Sequence, residues 1–338
     1  MQRKVLKEYD LSGYSTNLEE IVDPDSYNFS NVVNRQETDN CGIEGLSEEL
    51  GTSLIASYEK LKENVISALI LRQSLPQLKP LAAPFAMVDT DNTAGWWDVA
   101  HVVQSICNEL GIYLCSYKCE NSGALFIHLA PQPGDSLSAA KSKGQLRGHT
   151  DAVALPFPNE NIESSIAFPS PDLVILACIR NPNSVATRLA PLSAIVAKLP
   201  KDIIEKLQEP HFDIFPQMSF AMPEGYKLTN APVIVRDHFE GDMIRFSHSK
   251  ITPSTSGDKD SEHALEVLKS VVAESYNDVV LNAGDLLLLN NRTAVHGRGL
   301  VTSKKRADEI DRWLMRTYGM HRNPRIFSQQ EPVFELGN

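Results

Sequence analysis

Residues 144–157, GQLRGHTDAVALPF, place His149 and Asp151 on either side of one residue, in a segment that otherwise reads as apolar strand and turn. On extended backbone that spacing sends both side chains to the same side, so an imidazole and a carboxylate can reach one ion from a rigid strand end. The pair alone proves little. A chain with 9 histidines and 43 acidic residues holds such pairs by chance, and two solvated polar side chains would read the same way. A second region shifts the balance. In residues 282–299, NAGDLLLLNNRTAVHGRG, a turn leads into a buried strand and a further turn leads to His296, followed by Gly297 and Gly299. Glycines there let other groups approach closely. On its own His296 reads equally well as a core histidine. Together His149, Asp151 and His296 offer two imidazoles and one carboxylate, the facial set that leaves positions open on a non-haem Fe(II).

Beyond His296, the stretch DRWLMR carries Arg312 and Arg316. Their even spacing puts both side chains on one face of a strand. A guanidinium is a planar fork matched to a carboxylate, so two of them beside a metal suggest two carboxylate-bearing ligands. The alternative is a surface pair bonded to acids such as Asp311.

These residues need a frame to hold them. In the first third, Leu54, Tyr58, Leu61, Val65 and Leu69 recur at three- and four-residue steps, which predicts a helix from Leu46 to about Ser74 with Ser47 as its N-cap, closed by Pro76, Pro80 and Pro84. A second helix is expected from Trp96 to Leu110, ending at Gly111. After Gly111 the texture changes to short apolar runs between turn residues: IYLCSY, ALFIHLA, DLVILACI, APVIVRD, VVLNAG and DLLLLNN. This is a sheet-rich body, interrupted by helices near 201–208 and 262–276. The polar stretch from Lys250 to His263 reads as a mobile lid over a site. The simplest division is a polar N-terminal arm and helical extension over residues 1–80, then one catalytic body over 81–338 with the lid near 237–263.

The bulk numbers exclude several classes. A net charge of −11 over 338 residues disfavours nucleic acid and anionic membranes as partners and suits a small, cationic ligand. Five cysteines make no disulfide framework, and Cys115 and Cys119 lack a second pair at zinc spacing, so a reducing, cytoplasmic location is expected. The N-terminal MQRKVLKEYDLSGY has no apolar signal core, and no run of about 18 uninterrupted apolar residues occurs. Self-association is left open.

H-x-D, then NNRTAVHGR, then DRWLMR, in that order over roughly residues 80–320, resembles the Fe(II)/2-oxoglutarate dioxygenases of the clavaminate synthase-like, taurine dioxygenase superfamily. Within it, SGALFIHLAPQPGD and GDMIRFSHSKI are similar to the branch that oxidises free arginine, asparagine and lysine. The resemblance implies a mainly β fold with flanking helices, a double-stranded β-helix or jelly roll with the metal at its mouth. It implies His149, Asp151 and His296 as iron ligands, Arg312 and Thr187 as 2-oxoglutarate partners, and Arg316 as partner of the substrate carboxylate. His128, Asp237 and Ser247, with Glu240 and Asp242 nearby, are candidate lining for the far end of the substrate. Many amino acid oxygenases of this branch carry Glu where this chain has Asp151, still a carboxylate donor, whereas a related halogenase would lack the carboxylate. The implied activity is hydroxylation of an unactivated C–H of a basic amino acid, lysine first, with O₂ consumed and succinate and CO₂ released. The alternatives are another free or carrier-bound amino acid, or a non-catalytic jelly-roll binding protein.

Overall fold

The computed structural model describes residues 48–76, 96–131, 144–158, 160, 168–237, 241–301 and 312–322, together with strands at 6–10, 16–21, 32–33 and 333–334. Ser47, Pro80, Pro84, Glu240 and Asp311 lie outside the described residues. In chain order the elements begin with β1 (Leu6–Asp10), β2 (Thr16–Ile21), β3 (Val32–Val33), α1 (Glu48–Lys62), β4 (Ala68–Arg72), α2 (Trp97–Glu109), β5 (Tyr113–Tyr117), β6 (Ile127–Leu129) and β7 (Leu146–His149). They continue with β8 (Leu173–Arg180), β9 (Thr187–Pro191), α3 (Leu192–Lys198), α4 (Lys201–Leu207), β10 (Phe212–Ile214), β11 (Leu228–Ala231), β12 (Ile234–Asp237) and β13 (Gly241–Ile244). The last are β14 (Ile251–Pro253), α5 (Lys259–Glu274), β15 (Asn277–Val279), β16 (Leu286–Asn290), β17 (Ala294–Arg298), β18 (Trp313–Met320) and β19 (Val333–Phe334).

Two sheets build the body. The larger runs β19-β5-β18-β8-β16-β4-β1-β2-β3, with β6 also on β18; the smaller runs β15-β9-β17-β7. Alternation along the strands decides what each face buries. On the larger sheet Leu69, Leu71, Ile175, Leu288, Trp313 and Met315 face α1 and α2, while Ile70, Val174, Leu176, Leu287, Leu314 and Tyr318 face the smaller sheet. Leu189 of β9 and Ala294 of β17 meet that inner core from the other side. The smaller sheet turns Ala190 and Val295 outward against α3, α4 and α5. Two sheets, antiparallel except where β1 meets β4 and β19 meets β5, close over one core with helices on both outer faces and make the expected jelly roll.

Two sequence expectations change. The first helix stops at Lys62, and Asn64 takes a left-handed conformation at φ 59° before the chain enters β4. β4 is buried on both faces, so its apolar run carries no alternation, and the leucine spacing continued the helical step by coincidence. Because β4 pairs with β16 on one side and β1 on the other, strands β1 to β4, all before residue 80, are part of the main sheet. The stretch 250–263 is likewise not an open loop: β14 pairs with β10, and Asp258 caps α5 by accepting from the Ser261 N–H. α2 ends as expected, with Gly111 at φ 68° and its N–H donating to the Asn108 carbonyl.

Candidate metal centre

The triad is assembled by strand register. His296 stands opposite His149 in the β17–β7 pair and opposite Leu189 in the β17–β9 pair, so both imidazoles face the inner core. Their ring centroids are 4.4 Å apart. Asp151 lies just past β7, with Oδ1 3.3 Å from His149 Nε2 and 3.9 Å from His296 Nε2. One donor atom from each of the three lies within 4.8 Å of the others. Glycines make this approach possible. A Cβ at Gly297 would come 2.6 Å from the Leu146 carbonyl oxygen, and one at Gly148 would come 2.2 Å from Tyr276 Oη and 2.8 Å from Val295 Cγ1.

The protonation states suit a cation. Burial drives the His296 imidazole down to about 3, aided by His149 and Arg316 against the pull of Asp151, so the ring is neutral at physiological pH. Burial raises the Asp151 carboxyl, but Arg316 and the two histidines outweigh it and hold the group well below the usual carboxylate range. His149 Nδ1 lies 3.1 Å from the Arg147 carbonyl, which orients the ring and leaves Nε2 toward Asp151. Two imidazole nitrogens and an ionised carboxylate fit a divalent first-row metal such as iron.

The arginines separate. Arg312, 5% exposed, donates from Nη2 to Thr187 Oγ1 at 3.1 Å, so the two residues named for one ligand meet across the barrel. Its Nε has no partner among the described residues, and no carboxylate there pairs with it. Burial and the nearby Arg298 lower it to about 10. Arg316 instead has its fork occupied: Nη2 donates to Glu120 Oε1 at 2.9 Å and Nη1 to Asp151 Oδ2 at 3.3 Å. Its guanidinium also stacks 4.4 Å from the Tyr318 ring.

The expected lining residues divide. Ser247 forms an isolated β-bridge with His149 and is buried beside it. His128 is on the wrong face: it pairs with Met315, accepts from Trp313 Nε1 at 3.2 Å, and packs edge-on to Trp96 in the helix-side core. Strand alternation on β18 separates that face from Arg316, so His128 does not line the triad. Asp237 faces Gly241 at the tip of the β12–β13 hairpin, the opposite end from Ile244 and the Phe246–Ser247 segment. Asp242 on the same hairpin pairs with the exposed Arg236. Glu120, buried at 4% and bonded to Arg316, has no signal in the sequence; it follows β5 and reaches Arg316 because β5 pairs with β18.

Residues 128–318 match the taurine catabolism dioxygenase TauD, TfdA family, and the chain belongs to that family. It is 29% identical over 223 residues to an L-lysine 3-hydroxylase of Catenulispora acidiphila, a match covering 64% of this chain and 57% of that protein's length. Its fold is similar to an asparagine oxygenase solved with Fe(II), hydroxyasparagine and succinate, with a TM-score of 0.69, 22% identity and 86% of each chain covered. The non-heme iron oxygenase OrfP, solved with Fe and alpha-ketoglutaric acid, has a TM-score of 0.67, 21% identity and the same coverage of both chains.

Proposed function

We propose that this protein is an Fe(II)- and 2-oxoglutarate-dependent oxygenase that hydroxylates an unactivated C–H of a free basic amino acid, L-lysine first. The observation that carries the reading is the His149–Asp151–His296 cluster, with Asp151 and His296 buried, together with buried Arg312, a permanent cation whose described partners include no acid. His149 and His296 would each offer Nε2 and Asp151 one carboxylate oxygen to the iron. When bound, iron and 2-oxoglutarate supply the oxidising power: O₂ is consumed, one oxygen atom goes to the substrate and the other to succinate, and CO₂ leaves.

The chain's own residues bind and orient. Arg312 and the Thr187 hydroxyl would receive the far carboxylate of 2-oxoglutarate, the guanidinium fork giving two parallel charge-assisted bonds. Arg316, whose terminal nitrogens already meet Glu120 and Asp151, would hold the substrate carboxylate through its remaining N–H groups, and Glu120 would accept from the substrate ammonium. Asp151 supports hydroxylation over halogenation, since its oxygen fills the position a halide would need. Ser247 lies beside His149 and would line the pocket. The lysine 3-hydroxylase relative, with the excess of acidic residues, favours a cationic substrate.

Among the described residues no helix is long and apolar enough to cross a membrane, and Cys107, Cys115, Cys119 and Cys178 are free, buried thiols. They support the cytoplasm as the proposed location. The test is succinate release across the free amino acids with Fe(II), ascorbate and 2-oxoglutarate. The largest release is expected with lysine or arginine. Release only with a carrier-bound amino acid would move the substrate, and none with any amino acid would favour a binding protein.

A further inference from the structure

We propose that Asn291 is a positioning residue for the metal centre, its single side-chain amide fixing the backbone of Asp151 on both sides of the carboxylate. The inference rests on reading the triad as a metal site. It concerns how the third ligand is aimed.

His149 and His296 are aimed by paired strands. Asp151 is not, because β7 ends at His149 and the chain then turns through 151–154, with Ala152 in a left-handed conformation at φ 54°. Non-glycine residues seldom adopt that conformation, so the turn persists only where its surroundings hold it. Asn291 supplies the hold. It is 1% exposed, its Oδ1 accepts from the Asp151 N–H at 2.8 Å, and its Nδ2 donates to the Asp151 carbonyl at 2.9 Å and the Pro171 carbonyl at 3.1 Å. Its own N–H donates to the Asp172 carbonyl at 2.8 Å, which fixes the amide's base. Asn291 lies on the β16–β17 connection, so it ties the carboxylate ligand to the strand that carries His296.

A second amide brackets the same turn. Gln217 Nε2 donates to the Thr150 carbonyl at 2.9 Å, and its Oε1 accepts from the Val153 N–H at 3.2 Å. The residues flanking Asp151 are thereby held as well. Asp151 Oδ2 is then occupied by Arg316, and Oδ1 is left facing the two imidazoles. An amide is required at 291 because the ligand residue presents one donor and one acceptor. Aspartate there keeps the acceptor and loses the donor, and leucine fills the space and loses both.

The neighbouring Asn290 separates positioning from general stability. It is equally buried at 2%, donates to the Leu61 carbonyl and Asn64 Oδ1, and accepts from the Arg292 and Thr293 N–H groups, but makes no bond to Asp151. The experiment titrates metal-free parent, Asn291→Leu, Asn291→Asp and Asn290→Ala with Co(II), followed by the metal's visible absorption, alongside urea unfolding of each without metal. Loss of a group that orients a ligand typically weakens metal binding by about 10- to 100-fold, and that loss is expected in both Asn291 variants. Asn290→Ala is expected to lose stability and keep the parent's Co(II) affinity and spectrum. Parent-like Co(II) binding by the Asn291 variants, or an equal weakening in Asn290→Ala, would overturn the assignment. If Asn291→Leu fails to fold, the near-isosteric Asn291→Asp decides. A parent that binds no Co(II) overturns the metal reading itself, a result distinct from variants that bind as well as the parent.

Discussion

Replacing Arg312 by Met should make the ligand-free protein more stable while removing its response to 2-oxoglutarate. The guanidinium is 5% exposed, its hydrogen-bond partner is the Thr187 hydroxyl, and Arg298 repels it. Arginine does not give up its proton in proteins, so the fold carries this charge whatever it costs. Burial and Arg298 move the group from 12.5 to about 10, and at about 1.4 kcal/mol per pH unit the cost is on the order of 3 kcal/mol. Losing the Thr187 bond offsets about 0.5–1.5 kcal/mol of that, and methionine keeps much of the stem's packing. A net gain of about 1–2 kcal/mol should therefore appear as a higher urea midpoint with an unchanged slope. Saturating 2-oxoglutarate with Mn(II) should stabilise the parent by about 2.7 kcal/mol at a hundredfold excess over Kd, and the variant hardly at all. The assay is urea unfolding of both proteins with and without the two ligands. A variant less stable than the parent without ligand, and still stabilised by 2-oxoglutarate, would refute both the buried-charge argument and the assignment.

Arg316 should behave in the opposite way. Arg316→Met leaves Glu120 and Asp151 buried without their shared guanidinium, so the metal-free protein should lose about 3–5 kcal/mol in urea unfolding, and parent-like stability would contradict the ion-pair account. Gly297→Ala should cost about 1–3 kcal/mol and weaken metal binding, because its Cβ would press on the Leu146 carbonyl of the strand carrying His149; Gly299→Ala, whose nearest atom would be 3.6 Å away, should change neither in a thermal melt and metal titration. The folded pKa of His296 is lowered, so between 6.5 and about 3 the unfolded chain binds the extra proton and stability falls with falling pH. Unfolding of metal-free protein at about pH 7.5 and about pH 5.5 should lose roughly 1.4 kcal/mol more in the parent than in His296→Gln, and equal slopes would contradict a buried neutral ring.

How much of this was legible in the sequence depends on how local each signal is. His149, Asp151 and His296 could be read because H-x-D on a strand end and a histidine among glycines are short-range patterns, and the structure brings their donor atoms together. Thr187 and Arg312, which the family resemblance implies for one ligand, are far apart in sequence and meet through the fold. β4 reads as helix in the sequence because a strand buried on both faces shows no alternation. Glu120, Asn291 and Gln217 were invisible for a different reason: each acts through a bond to a residue at least 60 positions away, and no spacing rule spans that distance. His128 sat in the right stretch and on the wrong face, since one step along β6 exchanges the barrel interior for the helix-side core.

The most direct test of the account measures succinate and hydroxylated amino acid together, with protein, Fe(II), 2-oxoglutarate, O₂ and L-lysine, for the parent and His296→Ala. The account predicts succinate and monohydroxylated lysine in equal amounts from the parent, and neither from the variant, which remains folded by circular dichroism. Near-parent succinate formation by the folded His296→Ala protein would contradict it.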